Sequence, residues 1–299
     1  MKKTLFAALI GRPNVGKSTL MNYMLGRKVS IVSNKPQTTR TRITGIMSRG
    51  ETQYVFLDTP GIHKPQTKLG TFMVKAASSA VGDVDVVLWL VEAGDRVGDV
   101  EQSLIRRFKT DKLPVILLIN KIDESNAETI GDTIARFSAE LDFDAVIPIC
   151  AKNGKNVEEI YSEIDKFACE GEWIFPDDMF TDQPERVIAS EIIREKLLQT
   201  LDKEVPHGTA VVIEEFSESD TMIKIRAEIF CEKESHKPII IGKGGRELKL
   251  VGTRAREDME RFFGVKVFLD LWVKVKENWR ESDASIANFG FRRDDGDGL

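Results

Sequence analysis

The segment GRPNVGKS, Gly11–Ser18, constrains the fold of this chain more than any other stretch of its sequence. It follows a short apolar run, LFAALI, and opens into a helical pattern, which is the context that a phosphate-binding loop requires. Gly11 and Gly16 allow backbone N–H groups to turn inward around phosphate oxygens. Lys17 can reach the β and γ oxygens, and the Ser18 hydroxyl can bind Mg²⁺. The residues predicted to contact phosphate are Gly11, Arg12, Pro13, Asn14, Val15, Gly16, Lys17, Ser18 and Thr19.

Short apolar runs rich in branched residues recur through the first half of the chain and are typical of buried parallel strands. They are LFAALI, YVFLD, VDVVLWLV, PVILLIN and AVIPIC. Helical patterns lie between them, and TRITGIMSRGETQYVFLDT predicts a hairpin that turns at residues 49–51. We therefore predict an α/β domain over residues 1–170, with a doubly wound sheet that the hairpin makes mixed.

The tetrapeptide NKID, Asn120–Asp123, indicates which base the nucleotide carries. It follows the strand PVILLIN and so lies at the carboxyl end of the sheet, where open α/β sheets bind ligands. The Asp123 carboxylate can accept the ring N–H and exocyclic amine of guanine, whereas adenine presents a lone pair there. This mismatch rejects ATP by a factor on the order of 10⁴ or more. We predict a GTP site in which the stem of Lys121 covers the base.

Composition places limits on the class of protein. The net charge of −5 argues against nonspecific coating of nucleic acid, and Cys150, Cys169 and Cys231 fit neither a disulfide framework nor a metal site. The start, MKKTLFAALIG, imitates a signal peptide but lacks a small-residue cleavage site, so we expect a buried strand there. No apolar stretch reaches the roughly 18 residues of a membrane span. We expect a soluble, cytoplasmic monomer.

A second unit follows a change in composition. Residues 151–186 hold ten acidic and four basic residues, and we predict a linker over 171–186. The pattern over 187–281 predicts the order α-β-β-α-α-β, with GxxG at Gly242–Gly245 between two helices. Residues 237–280 hold eleven basic and six acidic residues, a local excess of positive charge. Residues 282–299 form the C-terminal tail, and its last residues, RRDDGDGL (292–299), are polar and glycine-rich, so we expect them to fray.

The order of elements around GxxG resembles the type II KH fold, a small α+β domain whose loop clamps the backbone of single-stranded RNA. Glycines allow close phosphate approach, while Lys243 and Arg246 supply charge. The residues expected to bind RNA are Gly242, Lys243, Gly244, Gly245 and Arg246. We expect Trp272 and Trp279 to pack in the core instead of stacking on bases. The alternative is a protein-docking module in which GxxG is only a turn.

Four motifs together resemble those of the translation-factor-like class of small GTPases. They are GRPNVGKS, DTPG (Asp58–Gly61), NKID and CAK (Cys150–Lys152). The resemblance implies that Asp58 holds Mg²⁺ through water and that the Gly61 N–H meets the γ-phosphate. The family usually has serine where this chain has Cys150. The further residues expected to contact GTP are Asp58, Thr59, Pro60, Gly61, Asn120, Lys121, Asp123, and the backbone of Ala151 and Lys152.

The segment KPQTTRTR, residues 35–42, occupies the place of the first switch in this class. A threonine there completes Mg²⁺ ligation in the triphosphate state, and we favour Thr39 over Thr38. The expected Mg²⁺ site therefore consists of Ser18, Thr39 and Asp58.

Ile62 follows DTPG, where many GTPases have a glutamine that orients the attacking water. An isoleucine side chain can neither donate nor accept a hydrogen bond. His63 is one substitute, and Asn14 resembles the asparagine with which some GTPases hold K⁺ beside the phosphates. We predict slow intrinsic hydrolysis, or a water-positioning group supplied by a partner or by RNA binding. The residues expected to act in catalysis are Lys17, Thr39, Gly61 and Asn14.

The combination of a GTPase loop, PQTTR in the first switch, the acidic TDQPER and a C-terminal IIIGKGG resembles the Era family of bacterial GTPases over about residues 4–291. The resemblance implies binding of the 3′ end of small-subunit ribosomal RNA and a part in the assembly or maturation of the small ribosomal subunit. It also implies peripheral attachment to the inner face of the cell membrane as an alternative to a purely cytoplasmic location.

Overall fold

The computed structural model describes residues 1–82 and 84–291, and in it the chain forms two compact units. The first unit consists of Met1–Ser30, Thr39–Pro65 and Met73–Asp182, and the second consists of Ile31–Thr38, Gln66–Phe72 and the chain from Gln183. The division at Asp182 lies inside the segment 171–186 that the sequence predicts as a linker. The segments 31–38 and 66–72 belong to the second unit although they are distant from it in sequence.

Strands and helices alternate over the first 170 residues, as the apolar runs predict. The elements are β1 (Lys3–Gly11), α1 (Lys17–Leu25), β2 (Ile43–Arg49), β3 (Thr52–Asp58), α2 (Lys68–Ser79), β4 (Val86–Glu92), α3 (Asp99–Asp111), β5 (Val115–Asn120), α4 (Ala127–Ser138), β6 (Ala145–Pro148), α5 (Val157–Ile164) and β7 (Cys169–Glu170). The strand order is β2-β3-β1-β4-β5-β6, and β7 pairs with β1. Only the β2–β3 and β1–β7 pairs of this sheet are antiparallel in the described chain, so the prediction of a mixed sheet with a hairpin is confirmed.

The first unit has a core on each face of this sheet because successive strand side chains point to opposite sides. Leu5, Ala7 and Leu9 of β1 pack with α1 and α5, whereas Ala8 and Ile10 pack with α3 and α4. Both faces are thus covered, which is why the strands read as continuous apolar runs.

The acidic segment after β7 packs along the hairpin. The buried side chain of Gln53 donates to the Phe175 carbonyl at 2.8 Å and accepts the N–H groups of Ile174 and Phe175, each at 3.0 Å. The Thr181 hydroxyl donates to the Thr44 carbonyl at 2.7 Å. These bonds order the segment on the first unit up to Asp182.

The second unit has the predicted order α-β-β-α-α-β. Its elements are α6 (Glu185–Thr200), β8 (Ala210–Ser219), β9 (Met222–Cys231), α7 (Lys237–Ile241), α8 (Arg246–Phe263), β10 (Lys266–Val275) and α9 (Asp283–Asn288). The strand order is β10-β9-β8, with β10 parallel and β8 antiparallel to β9. Helix α9 lies where the sequence predicts a tail, and residues 292–299, where we expect fraying, lie outside the described chain.

The two tryptophans near the end of the chain differ in burial. Trp279 is buried, donates its indole N–H to the Gly208 carbonyl at 2.9 Å and lies 5.3 Å from the ring of Phe289. Trp272 is 58% exposed because it occupies the side of β10 that faces away from the helices. The prediction that both are packing groups is therefore correct for Trp279 and wrong for Trp272.

Replacing Trp279 by alanine is expected to lower the free energy of opening of the second unit by about 3–5 kcal/mol, because a large buried ring is removed. The matched variant Trp272→Ala is expected to change it by no more than about 0.5 kcal/mol, as is usual at exposed positions. Hydrogen exchange of the β9 amides measures both values. Equal losses in the two variants would contradict the assigned burial.

Candidate functional site

The carboxyl ends of three parallel strands bring the GTP-binding motifs to one edge of the sheet. Strand β1 ends at Gly11, β3 at Asp58 and β5 at Asn120. The phosphate loop, DTPG and NKID each begin at the end of one of these strands. Residues that are far apart in sequence are thereby collected at the place where doubly wound sheets bind ligands.

The phosphate loop depends on glycine at both ends. Gly16 has φ +103°, and a Cβ atom there would lie 2.1 Å from the side-chain nitrogen of Asn120. A Cβ atom at Gly11 would lie 2.3 Å from the Leu90 carbonyl oxygen. Asn14 also has a positive φ, +66°, a conformation that asparagine tolerates better than most residues. The loop thus has no room for larger residues at Gly11 and Gly16.

Lys17 is buried at the start of α1. Its ammonium group donates to the carbonyls of Gly11 at 3.1 Å and Arg12 at 2.8 Å. Burial lowers the pKa of Lys17 to about 8, although the nearby Asp58 opposes this change. A phosphate group entering the loop would supply the negative charge that this desolvated ammonium lacks.

Three hydroxyl groups converge on one oxygen of Asp58. Ser18 and Ser30 each donate to Asp58 Oδ2 at 2.6 Å, and Thr39 lies 3.3 Å from the same atom. The other oxygen, Oδ1, is buried without a hydrogen-bond partner in the described chain. Burial raises the pKa of Asp58, while Lys17 and the three hydroxyls oppose the rise. A carboxylate with an unpaired oxygen among hydroxyl groups is a donor set that suits a hard cation such as Mg²⁺.

Ser30 is a member of this cluster that sequence reasoning missed. The Asn22 side chain of α1 fixes its position, because its oxygen accepts the N–H groups of Val29 and Ser30 and its nitrogen donates to the Ser30 carbonyl at 2.7 Å. No local pattern marks a serine in the loop after α1, so only the fold reveals its contact with Asp58. Thr38, the alternative to Thr39, instead donates to the Lys35 carbonyl at 2.6 Å.

At the base-binding end, Asn120 links two loops. Its nitrogen donates to the Val15 carbonyl at 2.7 Å, and its oxygen accepts the Ala151 N–H at 2.9 Å. The Ala151 N–H, an expected guanine contact, is thus bonded to Asn120 here. The thiol of Cys150 donates to Asp123 Oδ1 at 3.1 Å and helps to lower the pKa of this exposed carboxyl. Cysteine therefore takes a donor role that a serine hydroxyl could also perform.

Ion pairs hold two other predicted contacts. Lys121 has a φ of +63°, and its ammonium group pairs with Glu92. This ion pair fixes the aliphatic part of the Lys121 side chain, which we expect to cover the base. The Arg12 guanidinium forms two bonds with Glu101 of α3, at 2.6 and 2.7 Å. Burial alone would raise the pKa of Glu101, but these bonds and backbone N–H groups hold it below its usual value. The side chain of Arg12 thus anchors the loop to α3.

The DTPG loop lies directly against the phosphate loop. A Cβ atom at Gly61 would lie 2.5 Å from the Pro13 nitrogen, and the Ile62 N–H donates to the Gly11 carbonyl at 3.0 Å. The Ile62 side chain packs against the core cluster that contains Trp89. Thr59 is buried and donates to the Leu9 carbonyl, so its hydroxyl supports the sheet.

His63 lies on the same loop. Its Nδ1 is 2.9 Å from the Gly61 carbonyl, and its buried Nε2 has no hydrogen-bond partner in the described chain. The Nδ1 contact fixes the direction of the ring within the loop.

The GxxG loop joins α7 to α8 in the second unit. Gly242, Gly244 and Gly245 all have positive φ, from +62° to +79°, and a Cβ atom at Gly242 would lie 2.8 Å from the Glu247 nitrogen. The side chains of Lys243 and Arg246 are exposed. The loop therefore presents backbone and two positive charges to solvent.

A groove of about 380 Å³ lies beside this loop. It is lined by Gly245, Leu248, Lys249, Gly252, Thr253, Arg256, Leu269 and Leu271. The polar lining on α8 was missed by the sequence reasoning, although Lys249, Thr253 and Arg256 recur at the spacing of three to four residues that marks one helix face. One side of the groove carries basic residues and the other carries leucines of β10. This combination suits a single-stranded nucleic acid, which has a charged backbone and apolar base surfaces.

Comparisons with family models agree with this division of the chain. A model described as a 50S ribosome-binding GTPase matches residues 6–121, and a KH domain model matches residues 204–280.

Curated relatives and solved structures extend the likeness to nearly the whole chain. GTPase Era of Alkaliphilus metalliredigens (strain QYMF) is 49% identical over 97% of this chain and 99% of its own, and GTPase Era of Clostridium kluyveri (strain NBRC 12016) is 49% identical over 98% and 100%. The crystal structure of an Aquifex aeolicus Era variant bound to GDP·AlF4⁻ superposes with a TM-score of 0.93, at 40% identity over 97% and 100%. Era in complex with MgGDPNP and nucleotides 1506–1542 of 16S ribosomal RNA superposes with a TM-score of 0.91, at 41% identity over 98% and 100%. The resemblance drawn from the motifs is thus confirmed, and the chain belongs to the Era family of GTPases.

Proposed function

We propose that this GTPase uses its nucleotide to control binding of the single-stranded 3′ end of small-subunit ribosomal RNA, and that it acts in the assembly or maturation of that subunit. The observation that carries the proposal is the groove between α8 and β10, which combines GxxG, basic residues and leucines. A relative 41% identical to this chain holds nucleotides 1506–1542 of 16S ribosomal RNA. The same relative holds MgGDPNP, which supports Mg²⁺ as the cofactor here.

Hydrolysis of GTP is an activity of the family, and we propose roles in it for particular groups of this chain. The phosphate-loop N–H groups and Lys17 would bind the phosphates, and the Gly61 N–H would donate to the γ-phosphate. Ser18, Thr39 and Asp58 would hold Mg²⁺, which neutralises charge on the phosphates. The Cys150 thiol donates to Asp123 Oδ1 and lowers the pKa of this carboxyl, which would accept the guanine N–H groups.

Ser30 is expected to hold the Asp58 carboxylate in the position that Mg²⁺ requires. Ser30→Ala removes one hydrogen bond to a charged group, so release of a fluorescent GDP analogue at limiting Mg²⁺ should be about tenfold faster or more. Ser33→Ala is the matched control, because Ser33 accepts from the Lys35 N–H and does not contact Asp58. Identical release rates for the two variants would remove Ser30 from the metal site.

The source of the water-positioning group is the main question in the mechanism. Ile62 cannot supply it, and its side chain packs into the core. We propose that K⁺ held by Asn14 stabilises the charge that develops on the phosphates, as an arginine finger does in other GTPases. Intrinsic turnover is then slow, and His63 or an RNA-supplied group is the alternative.

GTP turnover should be at least several-fold faster in K⁺ than in Na⁺ at equal ionic strength. Asn14→Gly should abolish this difference, because it removes the side-chain amide that is proposed to hold K⁺. Glycine can adopt the positive φ of +66° at this position, so the backbone of the loop should be retained. Single-turnover phosphate release in the two salts is the measurement. Equal rates for the unmodified protein would exclude K⁺ as a cofactor.

The first switch provides a route by which the nucleotide could affect the RNA-binding unit. Residues 31–38 lie within the second unit, where the Glu195 carboxylate of α6 accepts the Val32 N–H at 2.9 Å. Arg194, itself buried, donates to the Thr38 carbonyl. The residues on either side of this segment, Ser30 and Thr39, contact Asp58. These contacts support a switch that responds to the metal and the γ-phosphate.

The competing interpretation of the second unit is a protein-docking module. Lys243→Glu combined with Arg246→Glu should weaken binding of an RNA copying nucleotides 1506–1542 by at least tenfold and reduce its salt dependence, because both side chains would otherwise neutralise phosphates. Lys203→Glu combined with Lys233→Glu, which changes exposed lysines outside the loop and groove, is the control. Unchanged RNA affinity with intact GTP binding would favour the docking module.

The location of the protein and its oligomeric state are further parts of the proposal. In residues 1–82 and 84–291, no helix combines the length and the apolar character needed to cross a bilayer. Peripheral membrane attachment and a monomeric state remain predictions. Sedimentation of the purified protein with and without vesicles addresses both.

A further inference from the structure

Within residues 183–291, the helices of the second unit leave one side of its sheet uncovered over most of β9 and β10, and we call this side the open face. It carries Met222, Lys224, Arg226, Lys266, Phe268 and Trp272. The alternating residues of the same strands, including Ile225, Val267 and Val273, are buried against the helices. Phe268 is 59% and Trp272 58% exposed, unusually high fractions for large aromatic side chains.

The spacing and orientation of the two aromatic rings suit stacking with planar groups such as nucleic-acid bases. They lie four residues apart on β10, which corresponds to about 13 Å along a strand. The Trp272 indole N–H donates to Asp270 Oδ2 at 2.9 Å. Its only polar group is therefore satisfied within the strand, and this bond limits rotation of the exposed ring.

The charge around Phe268 is positive. Lys224 is its direct neighbour on β9, and Lys266 precedes it by two positions on the same face. Neither lysine forms an ion pair within residues 1–82 and 84–291. By contrast, Arg226 lies 3.6 Å from Asp270 and 4.0 Å from Glu215. The positive charge that is not held in ion pairs is thus concentrated beside Phe268, where it complements a polyanion. Trp272 instead lies opposite Glu228 of β9, which pairs with Lys274.

The open face and the groove beside the GxxG loop lie on opposite sides of the same strand, β10. β10 is an edge strand that pairs only with β9 in the described chain, and its Leu269 and Leu271 line the groove. Phe268 and Trp272 point to the other side of the same strand. A nucleic-acid strand that leaves the groove over the edge of β10 would reach these rings next.

We propose that the open face is a second RNA-contacting surface, on which bases flanking the segment held in the groove stack on Phe268 and Trp272. The inference rests on the proposed RNA-binding function and extends its footprint. A protein partner fits less well, because interfaces between proteins are depleted in lysine. A lipid surface also fits less well, because Glu215 and Asp270 on this face would lose their hydration.

The test compares two RNAs, one copying nucleotides 1506–1542 and one of four nucleotides that fills only the groove. Phe268→Ala combined with Trp272→Ala should weaken binding of the long RNA by about tenfold or more, because stacking of bases on each ring contributes substantially to affinity. Binding of the short RNA should not change. Trp272→Phe with Phe268 retained should restore most of the affinity. Lys224→Gln combined with Lys266→Gln should lower the salt dependence for the long RNA only.

The outcomes separate the two proposals. Lys243→Glu with Arg246→Glu could weaken binding of both RNAs while the variant that lacks both aromatic rings binds the long RNA normally. In that case the RNA-binding function stands, and the open face is not part of the RNA-binding surface. If the loop variant binds both RNAs normally, the proposed function itself fails. Binding of anionic phosphatidylglycerol vesicles that depends on Phe268 and Trp272, without an effect on RNA, would assign the face to a membrane and overturn the inference.

Discussion

The carboxylate of Asp58 is the group on which the nucleotide site depends. It is fully buried at the end of β3, and one of its oxygens is contacted by hydroxyls from three separate parts of the chain. Ser18 belongs to the first turn of α1, while Ser30 and Thr39 flank the segment that enters the second unit. A single charge therefore fixes the relative positions of the phosphate loop and both ends of the first switch. Burial of that charge is costly unless cations and donors surround it, which explains the proximity of Lys17.

Much of this arrangement could be predicted from sequence because it depends on local rules. The strands of the first unit are buried on both faces and read as unbroken apolar runs, and GRPNVGKS and NKID follow directly from strand ends. The order α-β-β-α-α-β was predictable because helical and alternating patterns are separated by clear turns. The role of Asp123 followed from the hydrogen-bonding capacity of a carboxylate.

The parts that sequence did not reveal depend on long-range placement. Ser30 contacts Asp58 only because Asn22 holds the intervening loop, and nothing in a short window of sequence indicates such a bond. Trp272 and Trp279 look equivalent in sequence, but one lies on the uncovered side of an edge strand and the other against Gly208. The acidic segment before Asp182 has the composition of a linker, yet the buried amide of Gln53 binds its backbone. Helix α9 was missed because the polar, glycine-rich residues after it dominate the composition there.

The burial of Lys17 and Asp58 also has a consequence for the lifetime of the protein. The ammonium of Lys17 is desolvated, and Asp58 Oδ1 has no hydrogen-bond partner within residues 1–82 and 84–291. Both features oppose folding unless a bound ligand offsets them. A ligand that binds only the native state adds free energy in proportion to the logarithm of its concentration over its dissociation constant. The pool of guanine nucleotides in the cell is therefore expected to stabilise the folded state of this chain. When that pool falls, proteolysis would lower the abundance of the protein along with its activity.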